Sequence, residues 1–228
     1  MKRISIIIPV LNESEALRQH LPLLQKARAA GHELVLVDGG SSDGGIASAA
    51  SFVDVVVASP PGRARQMNAG AEVARHELLL FLHVDTELPE DGLAQVQSAM
   101  AKLSAMWGRF DVRLSGARPA FRLIEFMINL RSRVSGVATG DQAIFVRASI
   151  FRRIGGFPDM PLMEDVALSK TLRRLASPVC LRERVTTSSR RWEKQGVLRT
   201  VLLMWWLRLL YFLGIAPARL HEMYVKKK

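Results

Sequence analysis

Five short segments of this 228-residue chain hold the side chains that could do chemistry together. Three of them place a carboxylate just past an apolar run: Asn12-Glu13, then Asp38-Gly39-Gly40-Ser41-Ser42-Asp43-Gly44, then His83-Val84-Asp85-Thr86. A carboxylate in such a place can accept hydrogen bonds from a ribose or a base, or hold a metal. Asp, Ser and Gly are also ordinary turn and N-cap residues, so one such segment alone says little. Three at the same sheet edge favour a ligand. Asp85 is the candidate metal ligand, because a hard divalent cation on a diphosphate takes one or two protein carboxylates and fills its shell with phosphate and water. It would offset the charge that builds on a leaving diphosphate. His83 projects to the same side two residues earlier. As a ligand it would favour Mn²⁺ over Mg²⁺; the alternative is a histidine that only hydrogen-bonds nearby. In Gly62-Arg63-Ala64-Arg65, two arginines open a helix against its dipole, which a bound diphosphate or plain solvation would explain. The fifth segment, Glu164-Asp165, opens another helix, either as a simple cap or with one carboxylate as a general base.

These groups need a scaffold that brings them to one edge. Ile4–Val10, Leu34–Val37, Val53–Ala58 and Leu78–Leu82 are continuous apolar runs, as expected of strands covered on both faces. Helical patterns lie between them, at Glu13–Ala30, near Ile46–Ser51 and at Arg63–Ala74, and Asp91–Leu103 follows. Strand and helix in alternation predict an α/β domain with a mainly parallel sheet, whose ligands bind beyond the carboxyl ends of the strands. Further on, strands are expected at Met106–Leu114, Ala143–Arg147 and Val179–Arg184, and helices at Pro119–Arg133, Glu164–Leu175 and Val197–Leu213. In the helix from Pro119, the polar positions Arg122, Glu125, Asn129 and Arg133 share one face and leave a broad apolar remainder.

Composition narrows the partners. The chain carries 32 Lys+Arg and 21 Asp+Glu, a formal charge of +11, and is 49% hydrophobic, which is enough to bury a core. Residues 1–98 are net −4 and residues 99–228 net +15, so an anionic partner is expected on the C-terminal half. Its 24 cations are interleaved with apolar positions and match no nucleic-acid motif, which argues against nucleic acid. With Cys180 the only cysteine, a disulfide within the chain and a cysteine-based zinc site are excluded, and a reducing, cytoplasmic compartment is the expectation. The opening Met1-Lys2-Arg3 and the apolar run after it read as a first strand rather than a leader. Neither a P-loop nor a G-x-G-x-x-G fingerprint is present, so an NAD-dependent enzyme is poorly supported.

Taken in order, the motifs resemble family 2 glycosyltransferases of the GT-A fold. The matching stretches are Ile4 through Glu13, Val37 through Gly44, Gly62 through Gly70 and Leu80 through Thr86, then Thr139-Gly140-Asp141-Gln142, Gly155-Gly156-Phe157 and Met163-Glu164-Asp165. The resemblance implies a Rossmann-like, mainly parallel sheet flanked by helices over residues 1–192, with a nucleotide-sugar half at 1–98 and an acceptor half at 99–192. It implies a nucleotide-diphospho-sugar donor, most often UDP-linked, and a hydroxyl acceptor. Pro9, Asn12, Glu13 and Asp38 would line the nucleoside pocket, with Arg63 and Arg65 near the base or diphosphate. Asp85 matches the last aspartate of the metal-binding D-x-D, whose first position is His83 here, and the cation would be Mn²⁺ or Mg²⁺. Asp165 matches the catalytic base, with Glu164 beside it. The family's processive members carry Q-x-x-R-W; this chain keeps Arg191-Trp192 without the Gln, which implies transfer of one sugar, with Arg191 and Trp192 as diphosphate or acceptor contacts. Trp192 could equally be core. A nucleotidyltransferase of similar fold and a non-catalytic binding protein are the competing readings.

Residues 193–228 form an apolar and basic helical extension with Trp205-Trp206 and Lys226-Lys227-Lys228. At 1.5 Å per residue its 16 or so apolar positions reach roughly 24 Å, short of a bilayer core, and Arg208 interrupts them. It is expected to lie in a membrane interface at the inner face of the cell membrane, near a lipid-linked acceptor, or else to pack on the domain or on a second copy in a homodimer.

Overall fold

The computed structural model describes residues 2–225, apart from the side chains at positions 191, 194, 195 and 198. The C-terminal lysines and the Arg191 side chain therefore lie outside the described residues. In the first half β1 (Ile4–Val10) pairs in parallel with β2 (Glu33–Asp38) on one side and with β4 (Leu78–Phe81) on the other, and β2 pairs in parallel with β3 (Val55–Ala58). β1 and β4 are buried along their whole length, which is why their sequences run apolar without alternation. β3 is different: it is an edge strand whose burial alternates, and it starts two residues later than its apolar run suggests. Pro9 sits in central β1 at no cost to the ladder, because pairing with β4 ends at Ile7.

The helices α1 (Ser14–His20), α2 (Gln25–Ala29), α3 (Gly45–Ala49) and α4 (Arg63–Val73) cover this half. The single helix expected over 13–30 is divided. Pro22 opens a tight 3₁₀ turn, Leu21–Leu24, between α1 and α2, since proline has no N–H to continue the α-helical ladder. The buried stripe Ala16, Leu17, Leu21 and Leu24 survives the break. α4 lies very close to the sheet at Gly70, where a Cβ would stand 2.5 Å from Ile7 Cγ2.

The second half contains β5 (Thr86–Glu87), α5 (Gly92–Ala99), β6 (Trp107–Leu114), α6 (Pro119–Ser135), β7 (Phe145–Arg147) and α7 (Ala148–Arg153). After these come α8 (Glu164–Arg173), β8 (Val179–Thr187), α9 (Arg190–Gln195), α10 (Val197–Phe212) and α11 (Pro217–Val225). One eight-stranded sheet results, in the order β3-β2-β1-β4-β7-β6-β8-β5. β7 is antiparallel to both β4 and β6, β6 is parallel to β8, and β5 is antiparallel to β8. The α/β architecture is the expected one, with a parallel N-terminal half and a mixed remainder. Apolar clusters fill both faces, one around Ile6, Leu36 and Phe110, the other around Ile7, Phe81, Trp107 and Phe157.

α6 lies on this sheet with its polar stripe inward. Asn129 exchanges two hydrogen bonds with the backbone of Val112, at 2.9 and 3.0 Å, and Glu125 accepts the Leu114 N–H at 2.8 Å. Arg122 donates to the carbonyls of Leu114 and Gly116, and Arg133 pairs with Asp111 at 2.7 Å. The stripe thus satisfies backbone groups of β6 that would otherwise be buried without partners. α10 and α11 pack on α8, burying Leu203, Leu207 and Leu220 against Met163 and Val166. Among the described residues, no helix is long and apolar enough to cross a membrane.

Candidate active site

Because β1, β2 and β4 are parallel, their carboxyl ends Val10, Asp38 and Phe81 open at one edge, and the three acidic segments meet there. The first two are tied to each other. Asn12, at φ 55°, donates its N–H to Ser41 Oγ and accepts the Ser42 N–H at 2.8 Å. The short amide side chain of Asn tolerates that left-handed backbone. Asp38 accepts the Ser41 N–H at 2.8 Å, closing its own turn. Asp43 accepts the amides of Ser14 and Gly45, which holds its carboxyl below the usual range. Gln66 of α4, buried, donates to the carbonyls of Val10 and Val37 at 2.7 and 3.0 Å. Asp43 and Gln66 are framework that sequence reasoning left without a role. Pro9 is buried in β1, and Glu13 stands exposed at the start of α1.

The second group forms where α8 begins. Asp165 is half-buried; its Oδ2 accepts the Gly140 N–H at 2.8 Å and its Oδ1 accepts the Val166 N–H at 2.7 Å. Two amides thus fix the carboxylate, while each oxygen keeps a lone pair for a ligand. The same loop brings in His83, whose Nδ1 lies 3.5 Å from Asp141 Oδ1. Gly140 is needed for this approach, because a Cβ there would come 2.6 Å from His83 Cε1 and Nε2. Thr139 and Gln142 close a reciprocal capping box around the turn. Ala143 at φ 46° and Met163 at φ 69° bracket the two site segments in left-handed backbone, a strain that non-glycine residues seldom accept.

Cations surround these acids. Desolvation weighs on Asp141, but its hydrogen bond to His83 and the charges of His83, Arg63 and Arg208 bring its carboxyl down to about 2. Desolvation and neighbouring Asp165 push buried Glu164 up to about 7, with Arg63 pulling the other way. Desolvation lowers Arg131 to about 10, helped by Arg208, and it also lowers Arg208. Arg63 is exposed, and Asp141 has a 53%-exposed side chain, yet both are hemmed in closely enough for desolvation to act on them. Arg131 Nε and Nη2 and Arg208 Nε are buried without a hydrogen-bond partner, so these donors are free for an anion. Arg131, Asp141 and Arg208 were not among the sequence candidates. Arg208 interrupts an apolar run and Arg131 lies beside Ser132 and Arg133 near the end of α6, and only the fold turns both toward Asp165.

The remaining candidates lie outside this group. Arg65 pairs with Asp159 at 2.9 Å in the loop before α8, and Asn68 clamps the same loop through both backbone groups of Phe157. The two arginines of α4 therefore divide, Arg63 to the carboxylates and Arg65 to the loop. Trp192 packs with Leu114, Phe121 and Ile124, in the core position that its type also allowed. A cavity of about 560 Å³ lined by residues such as His20, Lys26, Glu87 and Leu93 contains none of the candidates.

Glu164 gives a prediction for the chain without nucleotide. Its folded value, about 7, lies above the ordinary 4.5, so between those pH values the folded chain holds a proton that the unfolded chain has released. Stability therefore falls as pH rises through that window and is level above it. Relative to the parent, Glu164→Gln is expected to be more stable at pH 8 than at pH 5, by on the order of 3 kcal/mol in denaturant unfolding. The same offset at both pH values would contradict this assignment.

The donor set fits a divalent cation carried on a diphosphate. Asp85 is half-buried, and no described residue hydrogen-bonds or pairs with its carboxylate. Among the described residues no three His, Cys, Asp or Glu side chains cluster as a self-sufficient metal cage. A cation here would need phosphate oxygens to complete its shell, as hard cations on nucleotides commonly do.

A family model, Glycosyl transferase family 2, matches residues 5–155. A curated relative, the undecaprenyl-phosphate 4-deoxy-4-formamido-L-arabinose transferase of Yersinia enterocolitica, is 26% identical over 166 residues, covering 65% of this chain and 49% of its own. This chain thus spans about half the length of that relative. Among solved structures, the mannosyltransferase PcManGT from Pyrobaculum calidifontis, in complex with GDP-Man and Mn²⁺, superposes with a TM-score of 0.61 at 19% identity, over 81% of this chain and 56% of its own. S. aureus TarS 1–349 in complex with UDP-GlcNAc gives 0.66 at 16% identity, over 82% and 58%. Glucosyl-3-phosphoglycerate synthase from Mycobacterium tuberculosis, with Mn²⁺ and UDP, gives 0.60 at 15%, over 82% and 71%. These likenesses show a shared GT-A fold.

Proposed function

We propose that this chain, which belongs to glycosyl transferase family 2, transfers one sugar from a nucleotide-diphospho-sugar to a hydroxyl acceptor with inversion at the anomeric carbon. The observation that carries this reading is one charged cluster: the carboxylates of Asp165, Glu164 and Asp141 and the guanidinium groups of Arg63, Arg131 and Arg208 act on one another beside the amide-held Asp165. Acids alone would suit a metal and cations alone an anion. Together they suit a reaction that removes a proton at one end and releases a diphosphate at the other.

In the step as we read it, Asp165 takes the proton from the acceptor hydroxyl. That oxygen forms a bond to the anomeric carbon, and the bond from the same carbon to the diphosphate oxygen breaks, its electron pair leaving with the nucleoside diphosphate. Asp165 is preferred to Glu164 because it is half-exposed and held by two amides, whereas Glu164 is buried. Arg63, Arg131 and Arg208 receive the anionic parts of donor and acceptor. Asp85, with His83 beside it, would hold a Mn²⁺ or Mg²⁺ ion, which when bound stabilises negative charge on the departing diphosphate. Asn12, Glu13, Asp38 and Pro9, at the ends of β1 and β2, frame the nucleoside.

The TarS likeness supports a UDP-linked donor, and the PcManGT likeness keeps GDP in the test. The name of the Yersinia relative, an undecaprenyl-phosphate transferase, supports a lipid-linked acceptor, and we place that acceptor at the inner membrane face with this chain peripheral to it; where the acceptor is a lipid phosphate, its anionic oxygen attacks without a proton to remove. A panel of UDP-, GDP- and dTDP-sugars, assayed by released nucleotide with extracted lipid and soluble acceptors, tests the proposal. Release that depends on acceptor, giving a product of inverted anomeric configuration by proton NMR, is the expected result. A product that retains the donor configuration would overturn the single displacement.

A further inference from the structure

The proposed chemistry leaves unused a broad apolar surface on α6 and α10. α6 spends its polar stripe on β6, and Phe121, Ile124 and Ile128 pack toward Trp192, Val197 and Val201. Its third face, Leu123, Phe126, Met127, Leu130 and Val134, stays exposed, with Val134 at 80%. The spacing i, i+3, i+4, i+7, i+11 makes these residues one continuous stripe. α10, packed beside α6, repeats the pattern: Leu202, Trp205, Trp206, Leu209, Phe212 and Leu213 are exposed, and Leu203 and Leu207 face the core. Neighbouring apolar stripes of this extent mark an interaction site on a globular protein.

We propose that the outward stripes of α6 and α10 dock this chain on an anionic lipid bilayer. Charge selects the occupant. The only acidic residue in the two helices is Glu125, which is buried and bonded to Leu114, while Arg199 is exposed and Arg118 stands exposed at the start of α6. A surface of apolar groups and cations matches acyl chains beneath anionic headgroups. A second copy would bring the same cations together with no exposed carboxylate on either helix to answer them. Trp205 and Trp206, about half exposed, are amphipathic side chains suited to the headgroup level. Neither helix crosses the bilayer: α10 has 16 residues, about 24 Å, and lies along the surface. α6 is what the structure adds, because the sequence alone placed the membrane contact on the C-terminal helix. The inference rests on the proposed membrane-side acceptor only for its purpose.

The test is co-sedimentation of the full chain, without nucleotide or acceptor, with phosphatidylcholine vesicles that contain either no phosphatidylglycerol or about one third. Retention on the anionic vesicles at low ionic strength, weakened by added salt, is expected, with a blue shift of tryptophan emission. The paired substitution Leu123→Glu and Leu130→Glu, at exposed positions that leave the core intact, is expected to lower partitioning about tenfold or more. The idea is overturned by parent protein that stays in the supernatant at low salt, or by a doubly substituted chain that still sediments like the parent. It is also overturned if the same substitutions dissolve a dimer in sedimentation velocity and leave vesicle binding unchanged. Nucleotide titration of the soluble chain reads the transferase proposal separately, so failure of either idea leaves the other standing.

Discussion

Asp165→Asn is expected to lower kcat by about 10³-fold while the nucleotide diphosphate binds as tightly as before. The size follows from removing the only group in the account that accepts the acceptor's proton. The selectivity follows from position, because Asp165 is held by the amides of Gly140 and Val166 at the start of α8, away from the β1 and β2 turns that frame the nucleoside. The replacing amide must point its NH₂ group at one of those two N–H donors, so some loosening of the 139–142 turn is built into the variant. Asp165→Ala with added formate separates the two effects. If Asp165 acts as the base, a small carboxylate restores part of the turnover; if it only anchors the turn, formate restores nothing. Unchanged turnover in Asp165→Asn would remove it from the chemistry and leave Glu164 as the base.

The second large effect is expected at Asp85. Asp85→Asn keeps the size of the side chain and removes its charge, and transfer is expected to fall by about 10²- to 10³-fold, together with loss of the Mn²⁺ dependence of nucleotide binding. The reasoning is electrostatic: Asp85 is the carboxylate at the β4 end that no described group neutralises, whereas Asp141 is engaged by His83. His83→Ala is expected to cost less, because in the structure His83 serves Asp141 and the Gly140 turn. Equal losses at positions 83 and 85, with equal loss of Mn²⁺ dependence, would make the histidine a direct ligand instead.

The parallel half of the fold was legible because its strands are buried on both faces. Ile4–Val10 has no alternation to hide its limits, and its boundaries come out residue for residue. What was not legible depended on neighbours. Pro22 inside an apolar stripe reads as one helix with a tolerated proline, and only the 3₁₀ turn shows the break. The pattern of α6 shows a polar face, but not that the backbone of β6 needs it. Asp85, Glu164 and Asp165 could be picked out by their places after a strand and at the head of a helix. Arg131 and Arg208 could not, since an arginine inside a helix looks the same whether it meets solvent, lipid or a carboxylate. Arg65 shows the reverse case: it shares a motif with Arg63, but one residue of separation on a helix points it at Asp159.

Calorimetric titration of the full chain with UDP, GDP and dTDP, each with and without Mn²⁺, asks whether the site takes a nucleoside diphosphate and its metal. Binding of at least one nucleoside diphosphate, strengthened by Mn²⁺ in the parent and not in Asp85→Asn, is expected. No binding of any of the three, with or without the metal, would contradict the transferase reading of the site.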